Sequence, residues 1–168
     1  LGCTFLNEEG NKISEMCGGK TVQIKSIDTT GMDQRITESE FIVICDVNTP
    51  FCGPDGATHI FSAQKGATEE MMHELETGMQ NLNMIVRHEC GTDLSKVSGS
   101  GAAGGLGGAF HAFLHAKLTK GIDTILDSIG FDETIKGADL IITGEGKIDS
   151  QTESGKVITG VQQRAASQ

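Results

Sequence analysis

The stretch T-G-E-G-K-I-D-S-Q-T-E-S-G-K, residues 143–156, sets two carboxylates and two lysines among glycines and hydroxyls. Glu145 and Asp149 have the chemistry to hold a divalent ion or accept a proton. Lys147 and Lys156 have the charge to neutralise an anion. An ordinary polar loop is the competing reading, and it requires none of this chemistry. A second stretch, S-G-S-G-A-A-G-G-L-G-G-A-F at 98–110, is nearly free of side chains. Opening a helix, it would present the N–H groups of Gly99, Ser100, Gly101, Gly104 and Gly105 to a phosphate or carboxylate. Close packing through Gly104, Gly105, Gly107 and Gly108 explains the same composition, and the two readings are compatible.

Three other patterns carry less. Gly99, Gly101 and Gly104 match G-x-G-x-x-G, but a dinucleotide site needs a clear strand before it and an acidic residue closing the next strand. Here D-L-S-K-V is a weak strand, and Asp123 falls inside a helical pattern. C-G-G-K-T ends like a phosphate loop, yet Ser14 stands where the first glycine belongs. His111 and His115 have the spacing of two zinc ligands on a helix, without the H-E-x-x-H glutamate or a third ligand, and read as packing or surface residues.

The elements that must position these residues follow from periodicity. C-T-F-L is a short strand followed by a polar turn, N-E-E-G-N. T-V-Q-I-K-S-I alternates as a strand with one wet face, so the first forty residues read as a small antiparallel β unit. Phe41–Cys45 and Leu140–Thr143 are continuously apolar, the pattern of strands covered on both sides. Thr68 offers an N-cap, with Glu69 and Glu70 in the first turn. Met71, Leu75, Met79, Leu82 and Ile85 then form a helical stripe. Phe110, Phe113, Leu114 and Leu118 continue a second helix, and Gly121 separates it from a third. The fold class is therefore α/β, a mixed or mostly parallel sheet flanked by helices, with residues 1–168 as a single domain.

Bulk properties narrow the partners. With 37% hydrophobic and 21% charged residues, the chain has a globular composition. Its net charge of −10 argues against a broad nucleic-acid surface, while leaving room for a small anion held locally. No apolar run approaches the ~20 residues of a membrane span. Five scattered cysteines without a C-x-x-C pair argue for buried thiols and a reducing, cytoplasmic setting. A start at Leu1 and a helical pattern still forming in Q-R-A-A-S-Q read as an internal piece of a longer protein.

Five blocks in order, L-G-C-T-F-L-N-E-E-G-N, I-C-D-V-N-T-P-F-C-G-P-D-G-A-T, Q-K-G-A-T-E-E-M, the glycine stretch and A-D-L-I-I-T-G-E-G-K-I-D-S-Q-T-E-S-G-K, carry a resemblance. The chain resembles the middle of a bacterial glycerate kinase, less than half of its usual length. Ser62-Ala63 stands where relatives often have Gly-Pro. The D-S-F-K-G-like and D-G-G-E-G-T-like segments of the family are not in this sequence, so N- and C-terminal segments of the same chain are expected partners. The resemblance implies ATP- and Mg²⁺-dependent transfer of the γ-phosphoryl group to a hydroxyl of D-glycerate. Backbone donors from Gly99 to Gly105 would then face phosphate, and Asp46, Glu145 and Asp149 would serve as carboxylates, the last two tentative Mg²⁺ ligands. Lys65, Lys147 and Lys156 would balance charge. The competing functions are an anion-binding or regulatory α/β module without turnover and a dinucleotide-binding oxidoreductase domain.

Overall fold

The computed structural model describes residues 1–144 and 157–167. Candidates Glu145, Lys147, Asp149 and Lys156 lie outside the described residues. The described chain is mixed α/β, and its parts gather into two compact units. One comprises Leu1–Val43 and Val47–Leu118, the other Ile44–Asp46 and Thr119–Gln168. No helix among the described residues is long and apolar enough to cross a membrane.

In the first unit, β1 (Thr4–Leu6) and β2 (Ser26–Asp28) pair antiparallel, with Phe5 opposite Ile27. This is the small β unit expected near the N-terminus. The turn after β1 is closed by Asn7, whose Oδ1 accepts from the Asn11 and Glu9 N–H groups at 2.9 and 3.1 Å. The strand expected over 21–27 is confined to its end, and a 3₁₀ turn occupies Gly18–Gln23. Thr21, Ile24 and Ile27 are buried at every third position, so the alternation in the sequence hides a tighter period. Asn81 Nδ2 donates to the carbonyls of both Thr21 and Ile24, at 3.0 and 2.9 Å, where a neighbouring strand would otherwise bond.

The long helix forms where its cap and stripe place it. Thr68 Oγ1 accepts from the Met71 N–H at 3.3 Å and opens α2 (Glu69–Cys90), which Gly91 ends in the left-handed region at φ 72°. Met79, Leu82 and Ile85 pack on a core of Ile24, Ile27, Phe51, Val86 and Leu94, while Met71 at the start of the stripe stays half exposed. Asn83 ties this helix to the next turn. Its Oδ1 accepts from the Leu94 N–H at 2.8 Å, and its Nδ2 donates to Asp93 Oδ1 at 3.1 Å.

The helix expected to run through Leu118 stops earlier. Helix α3 (Ala102–Leu114) ends at His115, which turns left-handed at φ 52°. His111 Nδ1 lies 3.0 Å from Ala116 O, so this histidine closes the helix end, which explains one member of the pair without a metal. Leu118 belongs instead to β4 (Lys117–Thr119), which pairs with β3 (Ile42–Ile44). Lys117 N donates to Phe41 O and Cys45 N to Thr119 O, and this ascending register makes the pair parallel. The expected burial of the apolar strand on both faces is not met: Ile42 and Ile44 are 53% and 58% exposed.

The second unit is built from α4 (Gly121–Ser128), α5 (Phe131–Thr134) and α6 (Val157–Ala166). Arg164 on α6 donates to Asp132 Oδ2 at 2.7 Å and to Asp127 Oδ1 at 2.6 Å, joining the three helices. Gly160 gives α6 its close approach to α4, since a Cβ there would lie 2.4 Å from Ile122 Cγ1. The expected buried strand at Leu140–Thr143 is not formed. Leu140 and Ile142 are 76% and 87% exposed, and no strand pairs with this segment among the described residues.

The Asp93 carboxylate is held down to a pKa of about 2, first by the Ser95 hydroxyl and then by the Asn83 amide. Its contribution to stability is therefore complete above the ordinary carboxylate range and is lost as pH falls towards about 2. Melting temperatures measured from pH 5 down to pH 2 are expected to fall less steeply in Asp93→Asn than in the unsubstituted chain. Equal slopes would show that Asp93 gains nothing from these bonds.

Candidate functional site

The glycine stretch is a left-handed turn followed by a helix, and its geometry explains why so few side chains are present. Gly99 has φ 80°, and Ala103, Gly104 and Gly105 have φ 51°, 73° and 105° inside the nominal span of α3. The regular helix therefore begins after Gly105. Gly101 is different: at φ −79° it needs no glycine for its backbone. It needs one for space. A Cβ at Gly101 would lie 2.1 Å from Pro50 O and 3.0 Å from Thr49 O. Gly107 presses on Gly99 O in the same way, and Gly105 and Gly108 press on the Phe51 ring.

The same closeness uses up donors that the sequence offered to a ligand. Gly101 N donates to Thr49 O at 2.9 Å, Ser100 N to Val97 O at 3.1 Å, and Ala102 N to Gly99 O at 3.0 Å. Gly104 N and Gly105 N both donate to Gly101 O, at 3.1 and 3.2 Å. Ser100 is fully buried, and its Oγ donates to Leu94 O at 2.7 Å. In this arrangement the expected free N–H groups of Ser100, Gly101, Gly104 and Gly105 are engaged within the chain, because a turn this tight closes its own hydrogen bonds. The close-packing reading describes what is seen.

What the turn packs against is the proline loop, residues 47–57, which holds both prolines of the sequence. Asn48 Oδ1 accepts from the Ser98 hydroxyl at 3.2 Å, next to the Thr49–Gly101 bond. Ala57 N donates to Pro50 O at 3.1 Å, and the short helix α1 (Ala57–Phe61) starts there. Ala103 and Gly104 remain at the surface of the turn. A cavity of about 510 Å³ opens beside Gly104, Gly105, Phe51, Met79 and Phe113. Lys65 lines another, of about 420 Å³, with Gly19, Ser62, Met71 and Glu74. The structure thus brings the glycine turn and the proline loop together and sets Lys65 at a separate opening. Asn48, Thr49 and Ser98 were not singled out from the sequence. The signal for Asn48 and Thr49 was the V-N-T-P-F-C-G-P-D-G-A loop with its two prolines, and Ser98 opens the glycine stretch.

Asp46 belongs to the second unit, where it has a structural task. Its Oδ1 accepts from the Gly121 N–H at 2.9 Å, capping the first turn of α4. A carboxylate there meets both the unsatisfied donors and the positive end of the helix dipole. Gly121 suits the position because a Cβ would lie 3.0 Å from that oxygen. No group of three His, Cys, Asp or Glu side chains converges on a metal position among the described residues.

This α/β frame, with its proline loop and glycine turn, has known counterparts. The model of the glycerate kinase family matches residues 1–168. A glycerate kinase of Bacillus cereus is 46% identical over 165 residues, which cover 98% of this chain and 43% of that protein. The glycerate 2-kinase of Escherichia coli is 40% identical over 161 residues, covering 96% and 42%. A crystal structure assigned as glycerate kinase 2 from Salmonella typhimurium LT2 superposes with a TM-score of 0.82 at 39% identity, covering 99% of this chain and 44% of that one. The chain belongs to the glycerate kinase family. It spans less than half the length of the curated relatives it matches.

Gly101→Val is expected to destabilise the chain by about 1–3 kcal/mol, the scale of overpacking a tight core. Ala102→Val, one residue on, should cost much less. Thermal or urea unfolding of the two variants compares them directly, and equal midpoints would mean that the Thr49–Pro50 contact yields freely.

Proposed function

We propose that the longer protein to which this chain corresponds transfers the γ-phosphoryl group of ATP to a hydroxyl of D-glycerate. The observation that supports this most is the match to named glycerate kinases along nearly the whole chain. In this reading the chain supplies part of a site that further segments of the same protein complete, consistent with its share of the relatives' length. Those segments would also cover Leu140 and Ile142, which stand in the open here. The reaction is placed in the cytoplasm, with no nucleic acid or membrane involved.

Phosphoryl transfer is mainly a matter of holding charge and aligning two oxygens, so the demands on the protein are specific. Glu145 and Asp149 are the carboxylates we assign to the reacting end, following the Thr143–Gly144 segment. As hard oxygen donors they suit Mg²⁺, which when bound would neutralise phosphate charge. Asp149 is also the group we assign to accept the proton of the glycerate hydroxyl. Lys65, Lys147 and Lys156 are the cations available for phosphate and for the substrate carboxylate. With their N–H groups engaged inside the chain, Gly101, Gly104 and Gly105 act in this scheme by shaping the turn, and the exposed residues Ala103 and Gly104 are the part of it we assign to face a ligand. Asp46 keeps its bond to Gly121 and supports α4.

Two experiments separate these roles. In the full-length protein, Asp149→Asn is expected to lower kcat by ~10²-fold or more with an unchanged melting temperature, the scale on which a positioned acid–base group acts. Near-normal turnover would remove Asp149 from the chemistry. Asp46→Asn, which keeps an accepting oxygen for Gly121, should leave kcat near normal, whereas Asp46→Ala should cost about 1 kcal/mol of stability as a lost helix cap. The 168-residue chain alone should fold and show no ATP-dependent phosphorylation of glycerate, and robust turnover by it would contradict a site completed by further segments.

A further inference from the structure

Glu76 is a charged residue that the periodicity of α2 hides. It is only 8% exposed, in the middle of the helix. Its Oε1 accepts from the Gly53 N–H at 2.7 Å and from Gln80 Nε2 at 2.8 Å. Its Oε2 is buried and receives no hydrogen bond from the described residues. Burying a carboxylate is costly unless its partners repay the lost water, so such a residue in a core calls for a specific task. Gly53 itself sits at φ 103°, a conformation that aims its N–H but that side chains rarely adopt.

The task becomes visible by following the loop outward from Gly53. Gly56 folds back on Cys52 so tightly that a Cβ would lie 2.5 Å from the Cys52 carbonyl carbon. Phe51, 3% exposed, is the ring on which Gly105 and Gly108 press. Thr49 O and Pro50 O are the oxygens that Gly101 meets. One carboxylate on α2 thus anchors the loop whose other face is the seat of the glycine turn.

We propose that Glu76 is the latch of this loop, a positioning residue that holds Thr49, Pro50 and Phe51 where the glycine turn can seat. Its importance to turnover rests on the glycerate kinase reading above, while the latch itself does not. Nearby, Cys52 is a built-in reporter. It is buried, and its thiol is pushed up to about 11, first by burial and then by the negative charges of Glu76 and Asp93. Cys17 is exposed and provides the internal reference.

The test is alkylation of the 168-residue chain with N-ethylmaleimide at pH 8, resolved residue by residue by peptide mass spectrometry. Glu76→Leu keeps apolar volume and removes the acceptor. It should raise the rate at Cys52 relative to Cys17 by about 10-fold or more over that of Glu76→Gln, the scale of one lost bond to a buried group. Glu76→Gln keeps an accepting oxygen for Gly53 but removes the charge that raises the Cys52 thiol, so it sets the baseline for the loss of charge alone. Should Glu76→Leu not fold, amide exchange of the unsubstituted chain decides the matter: the Gly53 N–H must exchange far more slowly than that of Gly66, in an exposed turn. Cys52 labelling no faster in a folded Glu76→Leu chain than in Glu76→Gln, or rapid exchange at Gly53, overturns the latch. In the longer protein, Glu76→Leu should lower kcat/KM for glycerate and Glu76→Gln should restore it. Turnover unaffected by an opened loop overturns the positioning role, whereas a parent enzyme that does not phosphorylate glycerate refutes the functional reading and leaves the labelling result standing.

Discussion

Two carbonyl oxygens, those of Thr49 and Pro50, leave no room for a side chain at residue 101. That contact, together with the bond from Gly101 N to Thr49 O, fixes how the start of α3 meets the proline loop. The remaining glycines of the turn then have defined tasks. Gly107 clears Gly99 O, and Gly105 and Gly108 clear the Phe51 ring, while Gly99, Gly104 and Gly105 supply left-handed backbone. A stretch that looks like a ligand cradle in sequence is, in the folded chain, first a packing device. Ala103, Gly104 and Leu106 are what this packing leaves at the surface of residues 99–108.

Parts of the fold governed by local rules were legible in the sequence. The Thr68 cap, the acidic first turn and the three- and four-residue spacing defined α2, and the Asn7 turn defined the hairpin-like N-terminal unit. Where long-range bonds decided, local pattern misled. The alternation of T-V-Q-I-K-S-I looked like a strand because nothing in it announces that Asn81 will take the carbonyls of Thr21 and Ile24. Leu118 matched a helical stripe, but His115 had already turned left-handed and released the chain into β4. The apolar runs at 41–45 and 140–143 were read as fully covered strands, and hydrophobicity alone does not state what covers them.

The candidate site was legible to a different degree at each residue. Glycine content pointed to the turn at 99–105, but which atoms required the glycines depended on a loop distant in sequence. Asp46 entered as a carboxylate that the resemblance would use, and its place after an apolar run is what puts its side chain on the first turn of α4. Glu76 went unnoticed because a glutamate on an amphipathic helix ordinarily belongs to the wet face. Ser100 looked accessible among glycines and is instead fully buried against Leu94 O. Family membership now joins these observations: the glycine turn and the proline loop, both part of the resemblance, are one packed structure in space.

The account stands or falls on whether that turn is closed in solution. Hydrogen exchange of the backbone amides, read by nuclear magnetic resonance, measures this directly for Gly101 and Gly108, whose N–H groups donate to Thr49 O and Ser100 O. If the turn is packed as described, both amides exchange as slowly as those of the buried part of α2 around Val86, and adding ATP leaves them slow. Exchange of Gly101 and Gly108 at the rate of exposed glycines, with protection appearing only when nucleotide is added, would show instead an open cradle that the ligand itself closes.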